Sequence, residues 1–124
     1  MAWLRTGLWA MTAVYWLALV VLTHTPRPPS AGIHISDKLA HLAAYALLAG
    51  MLYACLWSGR TPRRTAWLTL VVVLVYGAVD ELTQPLAGRS CELFDWLANA
   101  AGAAMVVGMM GGLRRAVESR RGAG

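Results

Sequence analysis

Residues 66–86, AWLTLVVVLVYGAVDELTQPL, run almost wholly apolar as far as Val79 and then present two adjacent acids, Asp80 and Glu81. A bilayer crossing takes about 20 predominantly apolar residues, so this stretch reads as a transmembrane helix whose last turns carry charge to one membrane face. Three further stretches share its character: Trp3 to Thr23, Leu39 to Trp57 and Phe94 to Leu113. Hydrophobic residues make up 58% of the 124 and charged residues only 14%, outside the balance of soluble domains. The expected fold is therefore all-α: a four-helix transmembrane bundle forming a single domain over residues 1–124, with no room for a separate soluble unit. Arg5 ahead of an apolar run resembles a signal peptide, but Val21 to Pro26 lacks a small-residue cleavage site, so the first span reads as a retained helix.

The net charge of +5 would ordinarily raise nucleic acid as a partner. Here the arginines lie where membrane insertion puts them, and no nucleic acid is expected. Arg60, Arg63 and Arg64 crowd the connection between the second and third spans, Arg114, Arg115, Arg120 and Arg121 follow the last, and Arg5 opens the first. Basic residues accumulate in cytoplasmic loops. Both termini and the second connection (Ser58 to Thr65) are thus expected inside, and the first (Thr25 to Ser36) and third (Ala87 to Leu93) outside. Eight arginines and Glu118 then lie inside, while Arg27, Lys38 and Arg89 lie outside with the other five acids. The expected location is a cytoplasmic (inner) membrane, crossed several times, with membrane lipids as partners. The Arg-rich tail reads as an orientation signal resting on anionic headgroups. Cys55 and Cys91 fall near opposite faces, which argues against an internal disulfide.

The outward charges form stripes. At about 100° per residue, Asp37, His41 and Tyr45 share one face of the second helix, with Lys38 beside it. Tyr76, Asp80 and Gln84 do the same on the third, with Glu81 one step round and Arg89 in the loop beyond. Asp95 and Asn99 share a face of the fourth with Gly102. Charges at membrane depth cost a few kcal/mol each and mark functional sites facing the bundle interior. Ala98, Gly102, Ala104 and Gly108 read as close-packing residues without chemistry.

These pieces, D-K-x-x-H-x-x-x-Y, D-E-x-x-Q, G-R-S and D-x-x-x-N-x-x-G, resemble the VanZ-like membrane proteins in kind and order from about Asp37 to Gly108. The resemblance implies a cell-envelope role and a link to resistance against glycopeptides, teicoplanin above all. Gln84 and Arg89 stand one residue closer than in the commonest version of the pattern, and Cys91 is not part of it.

The residues admit two functions. In the first, an outward pocket binds, or binds and chemically alters, an anionic headgroup such as a lipid-linked cell-wall intermediate. Lys38 and Arg89 would hold phosphate, with Tyr45, Gln84, Asp95 and Asn99 completing the binding set. His41 would act as acid or base, oriented by Asp37, and Glu81 or Asp80 would share that work. In the second, the protein catalyses nothing, the polar cluster only holds the bundle together, and the protein alters envelope properties or assists partner proteins. A proton or ion pathway is disfavoured because the other halves of the spans carry no ionisable relay. No cofactor is expected. The donors of His41, Asp37, Asp80, Glu81 and Asp95 suit a cation, but Lys38 and Arg89 are expected to offset their charge, so no metal is expected. Cys91 is a poor nucleophile beside Glu92, and His24 and His34 read as solvated loop residues.

Overall fold

In a computed structural model, described for residues 2–26 and 34–122, the chain forms four helices: α1 (Ala2–Thr23), α2 (His34–Leu56), α3 (Pro62–Thr83) and α4 (Leu93–Gly122). There is no strand among the described residues. All four are long and apolar enough to cross a membrane. They alternate in direction, so Thr23, Asp37, Asp80 and Asp95 gather at one end, here the polar end, opposite the chain termini.

Local chemistry sets the helix ends. Thr61 caps α3, its hydroxyl accepting from Arg64 N at 3.3 Å, and Pro62 at the first turn needs no partner for a missing N–H. At the polar end α3 tightens into a short 3₁₀ turn, Gln84–Ala87, where Pro85 interrupts the ladder. Gly88 closes it with φ +75°, and Arg89 N donates to Gln84 O at 3.2 Å. The termini end differs from expectation. Rather than ending at Leu113, α4 runs to Gly122, because nothing between these residues breaks a helix. At 30 residues it is about 45 Å long, against a hydrocarbon core of about 30 Å. Likewise α2 begins at His34, so that residue opens a helix rather than lying in a loop; Arg27, Pro28, Pro29 and Gly32 lie outside the described residues.

The bundle packs around α2, whose Tyr45, Leu48, Ala49, Leu52 and Tyr53 form the core with Leu19, Val73, Ala103 and Val107. Its closest neighbour is α4. Gly102 makes this possible: a Cβ there would meet the Leu42 carbonyl and Ala46 N of α2. Gly77 does the same for the Tyr45 ring, whose Cε1 would stand 3.2 Å from an added Cβ. Small residues at these two crossings let backbones and rings meet where lipid offers no hydrophobic drive. Helix α1 docks mainly on α2, through Tyr15 donating to Ala44 O at 2.9 Å and Thr12 Oγ1 3.3 Å from Cys55 Sγ. Cys55 is buried and Cys91 exposed, and both are free thiols.

Candidate functional site

The three stripes converge at the polar end, in two groups of bonds. The deeper is centred on Asp80, buried on α3. Thr23 Oγ1 donates to it at 2.7 Å from α1, and Tyr45 OH at 2.9 Å from α2. Gln84 Nε2 and Tyr76 OH approach at 3.4 and 3.5 Å from its own helix. His24 stands beside them, Nδ1 3.7 Å from the carboxylate and Nε2 2.9 Å from Thr83 Oγ1. One carboxylate thus joins three helices. His24 is accordingly not a free loop histidine: it follows Thr23 directly, and the turn that ends α1 swings it against α3.

The second group surrounds His41, 5% exposed on α2. Its Nδ1 lies 3.0 Å from Asn99 Oδ1 on α4 and 3.7 Å from Glu81 Oε1 on α3. With the Asn99 oxygen turned toward the ring, Nδ1 is the donor of this bond and Asn99 Nδ2 is left without a partner among the described residues. Its Nε2 points between Asp37 Oδ1 at 3.8 Å and Asp95 Oδ2 at 3.7 Å, too far for hydrogen bonds. Lys38 holds the rim, 2.8 Å from Asp95 Oδ1 and 3.1 Å from Glu92 Oε2. Glu81 receives Gln84 Nε2 at 3.3 Å and the Glu92 backbone N–H at 3.5 Å. Outside the spans, Glu92 is held below the usual carboxylate range, first by its bond from Lys38 and then by one from Ser90.

Arg89 departs from expectation. It neither folds back onto a carboxylate nor offsets one. Among the described residues it makes no ion pair, since Gly88 turns the chain so that its side chain lies on the α1 side. There it borders a cavity of about 440 Å³ between α1 and α2. Leu19, Leu22, Pro26, Ala40 and Ala44 supply apolar walls, and His41 and Tyr45 the polar ones. Of the residues expected to bind a ligand, Arg89 and Tyr45 border this space. Lys38, Gln84, Asp95 and Asn99 do not, being engaged with one another and with His41, Asp80 or Glu81.

A sequence model of the VanZ/LLP1 family matches residues 8–114. The chain belongs to the VanZ/LLP1 family. In this VanZ/LLP1 protein the matched region takes in α1 from Leu8, all the polar residues described above and α4 as far as Arg114. Searches of curated proteins and of solved structures gave no match.

Arg114, at the end of that region, was invisible as a special residue in the sequence, where it is one of four tail arginines. It is only 6% exposed. Its guanidinium donates to Arg60 O, to Thr65 Oγ1 at 3.3 Å and to Glu118 Oε1 at 2.8 Å, and stacks 4.9 Å from the Trp57 ring. A single side chain therefore joins the α2–α3 connection to α4. The tail does more than rest on headgroups.

Proposed function

We propose that this multi-pass membrane protein lies in the bacterial cytoplasmic membrane with both termini inside, and that the cavity at its outer end holds an anionic headgroup of the outer leaflet, such as a lipid-linked envelope intermediate. Arg89 carries the proposal. A guanidinium with no carboxylate partner among the described residues, bordering a cavity with apolar walls between two transmembrane helices, suits an amphiphile with a negative head. Leu22 is exposed at the rim, on the side that faces lipid. The orientation follows from the charges: the arginines of the α2–α3 connection and of the tail favour the cytoplasm. Asp80 serves here as the tie between helices, and His41, beside the cavity, as the group nearest a bound headgroup.

The test is a titration of the purified protein in a neutral detergent with dihexanoyl phosphatidic acid, and with dihexanoyl phosphatidylcholine as the zwitterionic control. Preference for the anionic lipid, weakened about tenfold in Arg89→Ala and less in Arg89→Lys, is expected, one lost charged hydrogen bond being worth about 1.5 kcal/mol. Equal binding by all three proteins overturns the proposal. The implied link to teicoplanin is scored on the same variants, as susceptibility of cells that produce each at equal membrane levels.

A further inference from the structure

We infer that Asp37, His41 and Asp95 form a binding site for one divalent transition cation, of the zinc or manganese class. Ligand atoms of these three residues all lie within 4.8 Å of one another. His41 Nε2 stands 3.8 Å from Asp37 Oδ1 and 3.7 Å from Asp95 Oδ2. An ion about 2.0–2.2 Å from each ligand needs separations of roughly this size, so side chains would move by only tenths of an ångström. Two independent features of the imidazole point the same way. His41 is 5% exposed, and its Nε2 has no hydrogen bond among the described residues while aiming between two carboxylates. Its Nδ1 is bonded to Asn99 Oδ1 at 3.0 Å, which holds the ring with Nε2 turned toward those carboxylates. Metal-ligating histidines are held in just this way, with the far ring N–H bonded to an oxygen that fixes the tautomer.

Charge supports the assignment. Asp95 and Glu81 flank the ring and are each buried to 3% exposure. Among the described residues Lys38 is the lysine or arginine bonded to Asp95, shared with Glu92, and no lysine or arginine is bonded to Glu81, which has His41 Nδ1 3.7 Å away. The argument from sequence against a metal counted both Lys38 and Arg89 against these acids; Lys38 does bond Asp95, but Arg89 lines the α1–α2 cavity instead. Glu81 lies on the Nδ1 side of the ring and is not a fourth ligand. Three protein ligands, one nitrogen and two oxygens, suit a borderline ion and leave a coordination position open. The site does not depend on what fills the cavity.

The experiment uses the purified full chain, stripped with chelator and dialysed against about 10 μM Zn²⁺ or Mn²⁺, with bound metal measured by mass spectrometry and thermal stability recorded in parallel. One ion per chain and a raised Tm are expected for the unmodified protein. Asp37→Asn changes a partly exposed residue, its side chain 27% exposed, and is expected to weaken binding 10- to 100-fold and to shrink the rise in Tm that metal gives, each Tm being read against the same variant without metal. Asp95→Asn and His41→Asn are expected to abolish binding, and Glu92→Gln, which touches Lys38 and no ligand, to keep it. Less than half an ion per chain with both metals, or undiminished binding in Asp37→Asn and Asp95→Asn, overturns the site.

Discussion

Gly102 of α4 sits directly against the backbone carbonyl of Leu42 on α2, leaving no room for a side chain. Because the obstacle is backbone, it cannot swing aside as the end of a flexible side chain would. Gly102→Ala is expected to lower stability in detergent by about 1–3 kcal/mol, the usual cost of overpacking, and Gly102→Leu to prevent assembly. Gly108, with open space around its would-be Cβ, is the control: Gly108→Ala should be neutral or slightly stabilising. Unfolding midpoints of the three proteins check this.

The Asp80 tie makes a second prediction. Thr23→Val removes a hydroxyl that bonds the carboxylate at 2.7 Å. Asp80→Asn keeps an oxygen that can accept from one of the Thr23 and Tyr45 hydroxyls but turns an NH2 donor toward the other. Each change is expected to cost about 1–3 kcal/mol. A double-mutant cycle should give a coupling of about 0.6 kcal/mol or more. Additive losses would mean that the Thr23–Asp80 bond does not help to hold α1.

Arg114 and Arg120 should separate a built arginine from a solvated one. Arg114→Ala leaves Arg60 O and Thr65 Oγ1 without their donor and is expected to destabilise by about 2 kcal/mol or more. Arg114→Lys should recover little, since an ammonium cannot serve those acceptors and the Trp57 face together. Arg120→Ala should be silent in the same melts.

The Lys38–Glu92 pair predicts a pH dependence. Its folded-state carboxylate is held below the ordinary range by Lys38 first and Ser90 second. The stabilisation is therefore complete at neutral pH and is lost as pH falls through the carboxylate range. Both side chains are about half exposed, at 47% and 48%, so the contribution is small, at most about 1 kcal/mol. The Tm difference between the unmodified protein and Glu92→Gln should shrink to nothing by about pH 3, and high salt should reduce it at pH 7.

The four spans were legible because twenty apolar residues in a row have few alternatives, and the stripes because spacing of four fixes a helix face. That spacing put Asp37 and His41 within 3.8 Å of each other in fact as on a wheel. What it could not give is the partner across a gap. The bond from Thr23 to Asp80 depends on how far α1 slides along α3. Arg89 was misread because a loop side chain follows its turn, here set by Gly88, and not a helical period. Arg114 resembled its neighbours because burial of a tail arginine depends on α4 continuing past the last apolar residue.

The Asp80 tie bears on how the chain is made. Thr23, Lys38 and Tyr45 are synthesised before Asp80, Glu81, Glu92 and Asp95, so donors precede the acids they will meet. A hydroxyl at the end of a hydrophobic span costs the insertion machinery little, whereas an aspartate costs several times more. When α3 arrives with its two acids, α1 and α2 already present hydroxyls to receive Asp80, and α3 need not wait unsolvated in lipid. Reversing the order of the spans would expose the acids first, so circular permutants that begin at α3 should be inserted poorly even though every contact of the finished bundle is kept.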